Sequence, residues 1–157
     1  MAVRVEIRGA DELARRFANE PARAAMLSRA MDAHLGLIHG AVVPLTPVGV
    51  TSELRGSWAT ENTTGANRIY GVLGSPLVYA EVMEEGRRPG APMPPPEALA
   101  RWVELKIGTG VDPFVIARSI ARKGIKGRHM LERAVEASRS VAGAIWSSVA
   151  SRLLEES

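Results

Sequence analysis

The longest regular pattern in the sequence is a helical repeat of small and aliphatic side chains over residues 20–43. The positions on its apolar face are Met26, Ala30, Ala33, Leu37 and Ala41. Pro21 suits the first turn of a helix, and Pro44 is expected to end it because proline lacks the amide hydrogen of the helical hydrogen bond. Such a helix would be roughly 35 Å long at 1.5 Å per residue. A helix of this length spans a small domain, so the other elements must pack along it.

Shorter patterns predict the remaining elements. Residues 3–8 alternate apolar and charged side chains, which predicts a strand, and a short amphipathic helix is predicted over residues 12–17. Two strand-like segments predict a β-hairpin over residues 54–73. Helices are predicted over residues 78–86, 97–107 and 130–154, and a further one opens at Asp112-Pro113. We therefore expect an α+β fold: a small antiparallel sheet, made by the N-terminal strand and the central hairpin, covered by two long helices, with short helices after a proline-rich loop.

Length and composition favour a single compact domain over residues 1–157. The chain has 157 residues, of which 46% are apolar and only 4% aromatic, so its core must be built from aliphatic and small side chains. Because it contains no cysteine, disulfides, thiolate nucleophiles and Cys-ligated metals are excluded. The N-terminus carries charges inside its apolar run, and no apolar stretch approaches the ~20 residues of a membrane span. We expect a soluble protein without a cleaved signal or a membrane partner.

The basic residues are concentrated in one region. The chain has 20 basic and 17 acidic residues, a net charge of +3, which is too small to mark a nucleic-acid-binding protein by itself. The local excess, which includes a basic turn at residues 122–128, consists of Arg118, Arg122, Lys123, Lys126 and Arg128. These cations either contact phosphate or an acidic partner, or simply form the solvent face of a helix.

Residues suited to catalysis or metal binding form no recognisable constellation. His34 and His39 are five residues apart, which is not the spacing of a helical zinc pair. His129 lies in the basic turn without a nucleophile motif nearby. Glu81, Glu84 and Glu85 would make an acid–base pair only if buried, and we expect a solvated helix end instead. The sequence predicts no catalytic residue, no metal site and no cofactor.

Two loops are suited to contacts with other proteins. The first, residues 44–54, contains two prolines and several apolar residues, and the second is the proline-rich loop at residues 86–96. Stiff loops lose little entropy on binding.

An ordered series of short segments resembles a known family. The segments are Thr46-Pro-Val48, Leu54-Arg-Gly-Ser-Trp58, Tyr79-Ala80, Glu84-Glu-Gly86 and Gly124-Ile-Lys-Gly-Arg128, which precedes the closing helix. In this order they are similar to the putative tail-component family of long-tailed bacteriophages. Residues 49–53 replace the Asp-Thr-Gly common in that family, and His129-Met130 replaces a Pro-Phe pair.

The resemblance implies a non-enzymatic virion protein of the head–tail junction, made in the bacterial cytoplasm, that joins the tail to the DNA-filled head. Its implied partners are further copies of itself in a ring of six or twelve, the head-closure or adaptor proteins, the tail-terminator protein and, without sequence specificity, the packaged DNA. In such a ring one surface patch meets a different patch on the next subunit. Candidate interface residues are Val3, Val5, Pro47, Val48, Leu54, Trp58, Arg87, Arg88 and Met93. Alternatives are a small basic nucleic-acid-binding regulator and a hydrolase that uses His129 with a glutamate.

Overall fold

The computed structural model describes residues 2–6, 21–49, 52–64 and 69–155. The helices are α1 (Pro21–Leu45), α2 (Glu53–Gly56), α3 (Tyr79–Glu85), α4 (Pro96–Lys106), α5 (Pro113–Lys123) and α6 (Met130–Glu155). The strands are β1 (Ala2–Glu6), β2 (Ala59–Thr64), β3 (Ile69–Gly74), β4 (Gly86–Arg87) and β5 (Ile125–Lys126). The short helix predicted over residues 12–17 lies outside the described residues.

Helix α1 is the central element, as its length predicts. Its buried face consists of Leu27, Ala30, Met31, Leu35, Ile38 and Val42. The predicted apolar face is therefore wrong except at Ala30, because Met26, Leu37 and Ala41 are only half-buried and Ala33 is exposed. It covers β2 and β3 and also packs along α6. The helix does not stop before Pro44, which lies in its last turn. A proline there removes one hydrogen bond at most, and the amide of Thr46 still donates to the carbonyl of Val42 at 3.0 Å.

The main sheet has three antiparallel strands in the order β1-β3-β2. Val3 lies opposite Leu73, and Val5 lies opposite Gly71. Met31 and Leu35 of α1 pack over Gly71 in the central strand. The prediction of an N-terminal strand added to a central hairpin is confirmed.

The first strand of the predicted hairpin is wrong in its position. Residues 53–56 form the short helix α2, and the strand begins only at Ala59. Leu54 lies in α2, Trp58 lies between α2 and β2, and both are buried. The strand then continues to Thr64 by pairing with β3, with Asn62 opposite Gly71. The side-chain amide of Asn62 also donates to the Ser28 carbonyl at 3.0 Å and to the Ser28 hydroxyl at 2.9 Å.

The core lies between α1, the sheet and the start of α6. Its fully buried side chains include Met31, Ile38, Leu73, Met130 and Leu131. The fold is α+β with long helices, as the sequence predicts. No helix in the described ranges has the length and apolar character that crossing a membrane requires.

Candidate functional site

A buried carboxylate joins α3 to the start of α6. Glu84 is only 4% exposed. Its carboxylate accepts from the backbone amides of Met130 at 2.7 Å, Leu131 at 3.0 and 3.1 Å and Glu132 at 3.1 Å. These are amides of the first turn of α6, which have no partner within the helix. The expectation of a solvated helix end is therefore wrong for Glu84, which caps α6 from a distant part of the chain.

The backbone next to this cap is closely packed. Strands β4 and β5 pair antiparallel, with Gly86 opposite Lys126 and Arg87 opposite Ile125. Gly86 has φ +83°, and a Cβ there would lie 2.5 Å from the Ile125 carbonyl oxygen. Gly124 has φ +73°, and a Cβ there would collide with the Arg87 carbonyl oxygen. Both positions require glycine because of the left-handed backbone and the close approach of the two chain segments.

The proline-rich loop is held against this junction. The guanidinium of Arg87 donates to the carbonyl of Pro92. The amide of Gly90 donates to the carbonyl of Ala121 in α5 at 2.7 Å. The loop is thereby fixed at two points, and it sets where α4 begins.

Helices α4 and α5 form a helical hairpin. Asp112 caps α5 by accepting from the amide of Phe114 at 2.8 Å, and Pro113 occupies the first turn. The two helices pack against each other. Over residues 96–106 and 113–123, the fully buried residues are Val103 and Ala117, one in each helix. Most of the helical hairpin surface therefore faces solvent.

This helical hairpin exposes large apolar side chains. Trp102 is 43% exposed, Leu105 53%, Phe114 46% and Val115 58%. On α5, Val115, Arg118 and Arg122 follow one another at three and four residues, on the side opposite the buried Ala117. We call these three residues the α5 stripe. It combines an apolar side chain with two cations, as a contact surface for an acidic protein would.

All five predicted cations are exposed. Arg118, Arg122 and Lys123 lie on α5, Lys126 lies in β5, and Arg128 lies just before α6. Within the described ranges Arg139 forms an ion pair with Glu136 at 2.8 Å, and His129 Nδ1 lies 3.1 Å from the Glu132 carboxylate; neither contact involves these five residues. Among the described residues, these five cations are therefore exposed and form no salt bridge.

The predicted interface residues separate into core and surface. Leu54 and Trp58 are each 5% exposed and belong to the hydrophobic core, so they do not form a contact surface. Val48 and Met93 are exposed at 58% and 41%. Arg88 is exposed as well. Of the remaining four, Pro47 and Arg87 are half-buried, and Val3 and Val5 lie in β1, which pairs with β3 at one side of the sheet.

Trp58 has a structural role instead. Its indole N–H donates to the Thr46 hydroxyl at 2.8 Å, and that hydroxyl donates to the Val42 carbonyl at 2.7 Å. The guanidinium of Arg55 donates to the Thr46 carbonyl at 3.1 and 3.3 Å. Thr46 therefore joins the end of α1 to the segment around α2.

The histidines lie in three different surroundings. Trp146 of α6 donates from its indole N–H to Nδ1 of His34 at 3.3 Å, and burial lowers the pKa of His34. His39 is half-buried on the same helix. His129 is exposed and adopts φ +49°. No group of three or more metal-ligating side chains exists among the described residues.

The exposed apolar side chains of α4 and α5 are a feature that the sequence analysis missed. Both helices were predicted, but the exposure of Trp102 and Phe114 was not. Two features of the sequence could have indicated this exposure. Both helices are short, with 11 residues each, and one of them carries several cations. Short helices at the end of a proline-rich loop bury little surface by themselves.

Comparisons with known proteins identified no relative. No protein-family model matches the chain, and neither a curated protein nor a solved structure is significantly similar to it.

Proposed function

We propose that this chain is a structural, non-enzymatic protein of the bacteriophage head–tail junction that assembles as a ring and joins the tail to the DNA-filled head. Its partners in this proposal are copies of itself, six or twelve to a ring, the head-closure or adaptor proteins, and the tail-terminator protein. Packaged DNA passes through the ring with only non-specific contacts.

The main support is that the segments carrying the family resemblance meet in the structure at two places. Thr46 contacts Arg55 and Trp58 across nine and twelve residues. Gly86, in the segment 84–86, pairs with Lys126, in the segment 124–128. Residues that a family shares because they define its fold are expected to make internal contacts of this kind. These internal contacts support the interpretation of the short motifs as parts of a structural framework.

The surface properties also favour a role in assembly. The framework residues are largely buried, whereas the exposed apolar residues Trp102, Leu105, Phe114 and Val115 are gathered on the helical hairpin. Exposed apolar side chains of this size are typical of surfaces that other proteins cover. Glu84, the most deeply buried carboxylate described, is occupied by three backbone amides and is not available for acid–base chemistry.

The test is deletion of the gene from the phage or prophage that encodes it. We expect electron microscopy of the lysate to show filled heads and separate tails, and we expect infectious particles to form when purified wild-type protein is added. Buffer without protein is the control. Normal infectious particles from the deletion strain would contradict the proposal, and so would a failure to fill heads, which indicates an earlier role.

The five exposed cations support one competing function, a small nucleic-acid-binding regulator. Binding of duplex DNA by the isolated protein, with an affinity that falls steeply as salt rises, would favour that function. The head–tail proposal predicts weak binding without sequence preference.

A further inference from the structure

A second exposed surface, of opposite charge, lies on α3. Val78, which immediately precedes this helix, is 92% exposed, and Glu81 and Glu85 follow it at three and four residues. All three are exposed: Val78 and Glu85 lie on the side of α3 away from the buried Ala80 and Glu84, and Glu81 lies at the edge between the two sides. We call Val78, Glu81 and Glu85 the α3 stripe. Neither carboxylate of the stripe forms an ion pair with a described residue.

The surroundings of the α3 stripe are also apolar and acidic. Tyr79 is 43% exposed. Burial and the nearby carboxylate of Glu53 both raise the pKa of Tyr79, which places a third negative charge beside this helix. The region thus combines exposed apolar area with an excess of negative charge.

The two stripes match in spacing as well as in charge. Val115, Arg118 and Arg122 are separated by three and four residues, and so are Val78, Glu81 and Glu85. On a helix this spacing places the three side chains in one row along the axis. If the two helices lie parallel, valine meets valine and each arginine meets a glutamate.

We infer that the α5 stripe of one copy docks on the α3 stripe of the next copy, with α5 and α3 parallel. This inference rests on the ring assembly in the proposed function and assigns its interface. Because the two stripes are different surfaces, the contact is heterologous, and repetition of a heterologous contact closes a ring when the rotation between subunits permits. Bidentate pairing of arginine with carboxylate would fix the register, and the two valines would exclude water.

A second copy suits the α5 stripe better than DNA does. A duplex presents phosphates to Arg118 and Arg122, but it leaves Val115, which is 58% exposed, in contact with water. The α3 stripe supplies both the negative charges and an apolar residue in the matching position. DNA binding by the cations therefore serves as the contrary outcome in the experiment below.

The experiment is a charge exchange in the full-length protein, followed by sedimentation velocity across a concentration series. One variant carries Arg118→Glu and Arg122→Glu, and the other carries Glu81→Arg and Glu85→Arg. We expect the wild type to form a closed oligomer and each variant alone to sediment as a monomer, because like charges then face each other. The dissociation constant should rise about a hundredfold or more. Far-UV circular dichroism checks that each variant is folded.

An equimolar mixture of the two variants provides the decisive measurement. In the mixture every contact can again join opposite charges, since the reversed α5 stripe meets the reversed α3 stripe and the native stripes meet each other. We expect the oligomer to return, with the two variants alternating around an even-numbered ring. The control is Arg133→Glu with Arg152→Glu, two exposed cations of α6, which should leave assembly unchanged.

Three results would overturn the inference. They are a wild-type protein that stays monomeric at every concentration, an oligomer that both reversals leave intact, and a mixture that fails to reassemble. Loss of DNA binding by the Arg118/Arg122 variant without any change in assembly would assign the cations to DNA instead. The two proposals can fail separately. An intact ring in both variants would contradict this interface but not the head–tail proposal. Normal particles from the deletion strain would contradict the head–tail proposal but not a self-association measured by sedimentation.

Discussion

Replacing Glu84 with alanine should destabilise the protein more than any surface substitution. The side chain is 4% exposed and accepts from three amides at the start of α6, two of which belong to the fully buried Met130 and Leu131. Without the carboxylate these buried amides have no partner, and the helix loses a negative charge near its N-terminus. Hydrogen bonds to a charged group contribute about 1.5–3 kcal/mol each but are not additive within one cluster, so we expect a loss of about 3–5 kcal/mol.

The measurement is urea unfolding followed by circular dichroism at neutral pH, with thermal unfolding as a second assay. A loss of this size corresponds to a midpoint lowered by about 6–20 °C for a domain of this length. Glu84→Gln keeps one acceptor oxygen and should fall between the alanine variant and the wild type. Glu104→Ala is the matched control, since Glu104 is an exposed helical carboxylate, and it should stay within about 0.5 kcal/mol of the wild type. If Glu84→Ala is as stable as this control, the cap does not hold α6 as described.

Three further predictions concern other buried contacts. Thr46→Val should reduce the free energy of unfolding by about 1–3 kcal/mol in urea titrations because the buried indole N–H of Trp58 loses its acceptor, and a neutral result would refute this account. Burial lowers the pKa of His34 below its ordinary 6.5, so the unfolded chain binds the proton more readily than the folded one. The free energy of unfolding should therefore fall as the pH drops below about 6.5 and remain constant above it. His34→Gln should flatten that dependence in unfolding curves recorded from pH 7.5 to 5, and an unchanged slope would count against it. Gly124→Ala should unfold at a much lower urea concentration than Gly90→Ala. Both glycines have positive φ, but a Cβ at Gly90 has nothing within 4 Å. Equal losses of stability in the two variants would show that close packing at Gly124 is unimportant.

The sequence predicted most elements because their signals are local. The spacing of aliphatic residues gave α1 and α6, and the Asp112-Pro113 pair gave the start of α5. The alternation near the N-terminus gave β1. The errors arose where distant contacts decide the local structure. Asn62 is a residue type typical of turns, but it pairs with Gly71 in the sheet, and its side chain donates to Ser28 of α1. Leu54 and Trp58 were predicted in a strand, but Leu54 lies in α2 and Trp58 lies between α2 and β2, and both belong to the core.

The candidate site was predictable only in part. The cations of the basic region could be listed from the sequence, and all five are exposed. The burial of Glu84 could not be inferred from its neighbours, since Glu81 and Glu85 on the same short helix are exposed. The acceptors and donors of that cap are separated by 46 to 48 residues, and nothing in either segment specifies the other.

The sequence by itself determined the α+β class, the absence of cysteine chemistry, the two long helices and the inventory of charges. These properties follow from composition and from periodicities that act within a few residues. Only the tertiary structure decided which glutamate is a buried cap, which aromatic residue belongs to the core, and which apolar residues of α4 and α5 remain in solvent. The physical reason is that burial is a property of neighbours brought together by folding, so the same residue type is a core contact in one place and an exposed contact surface in another.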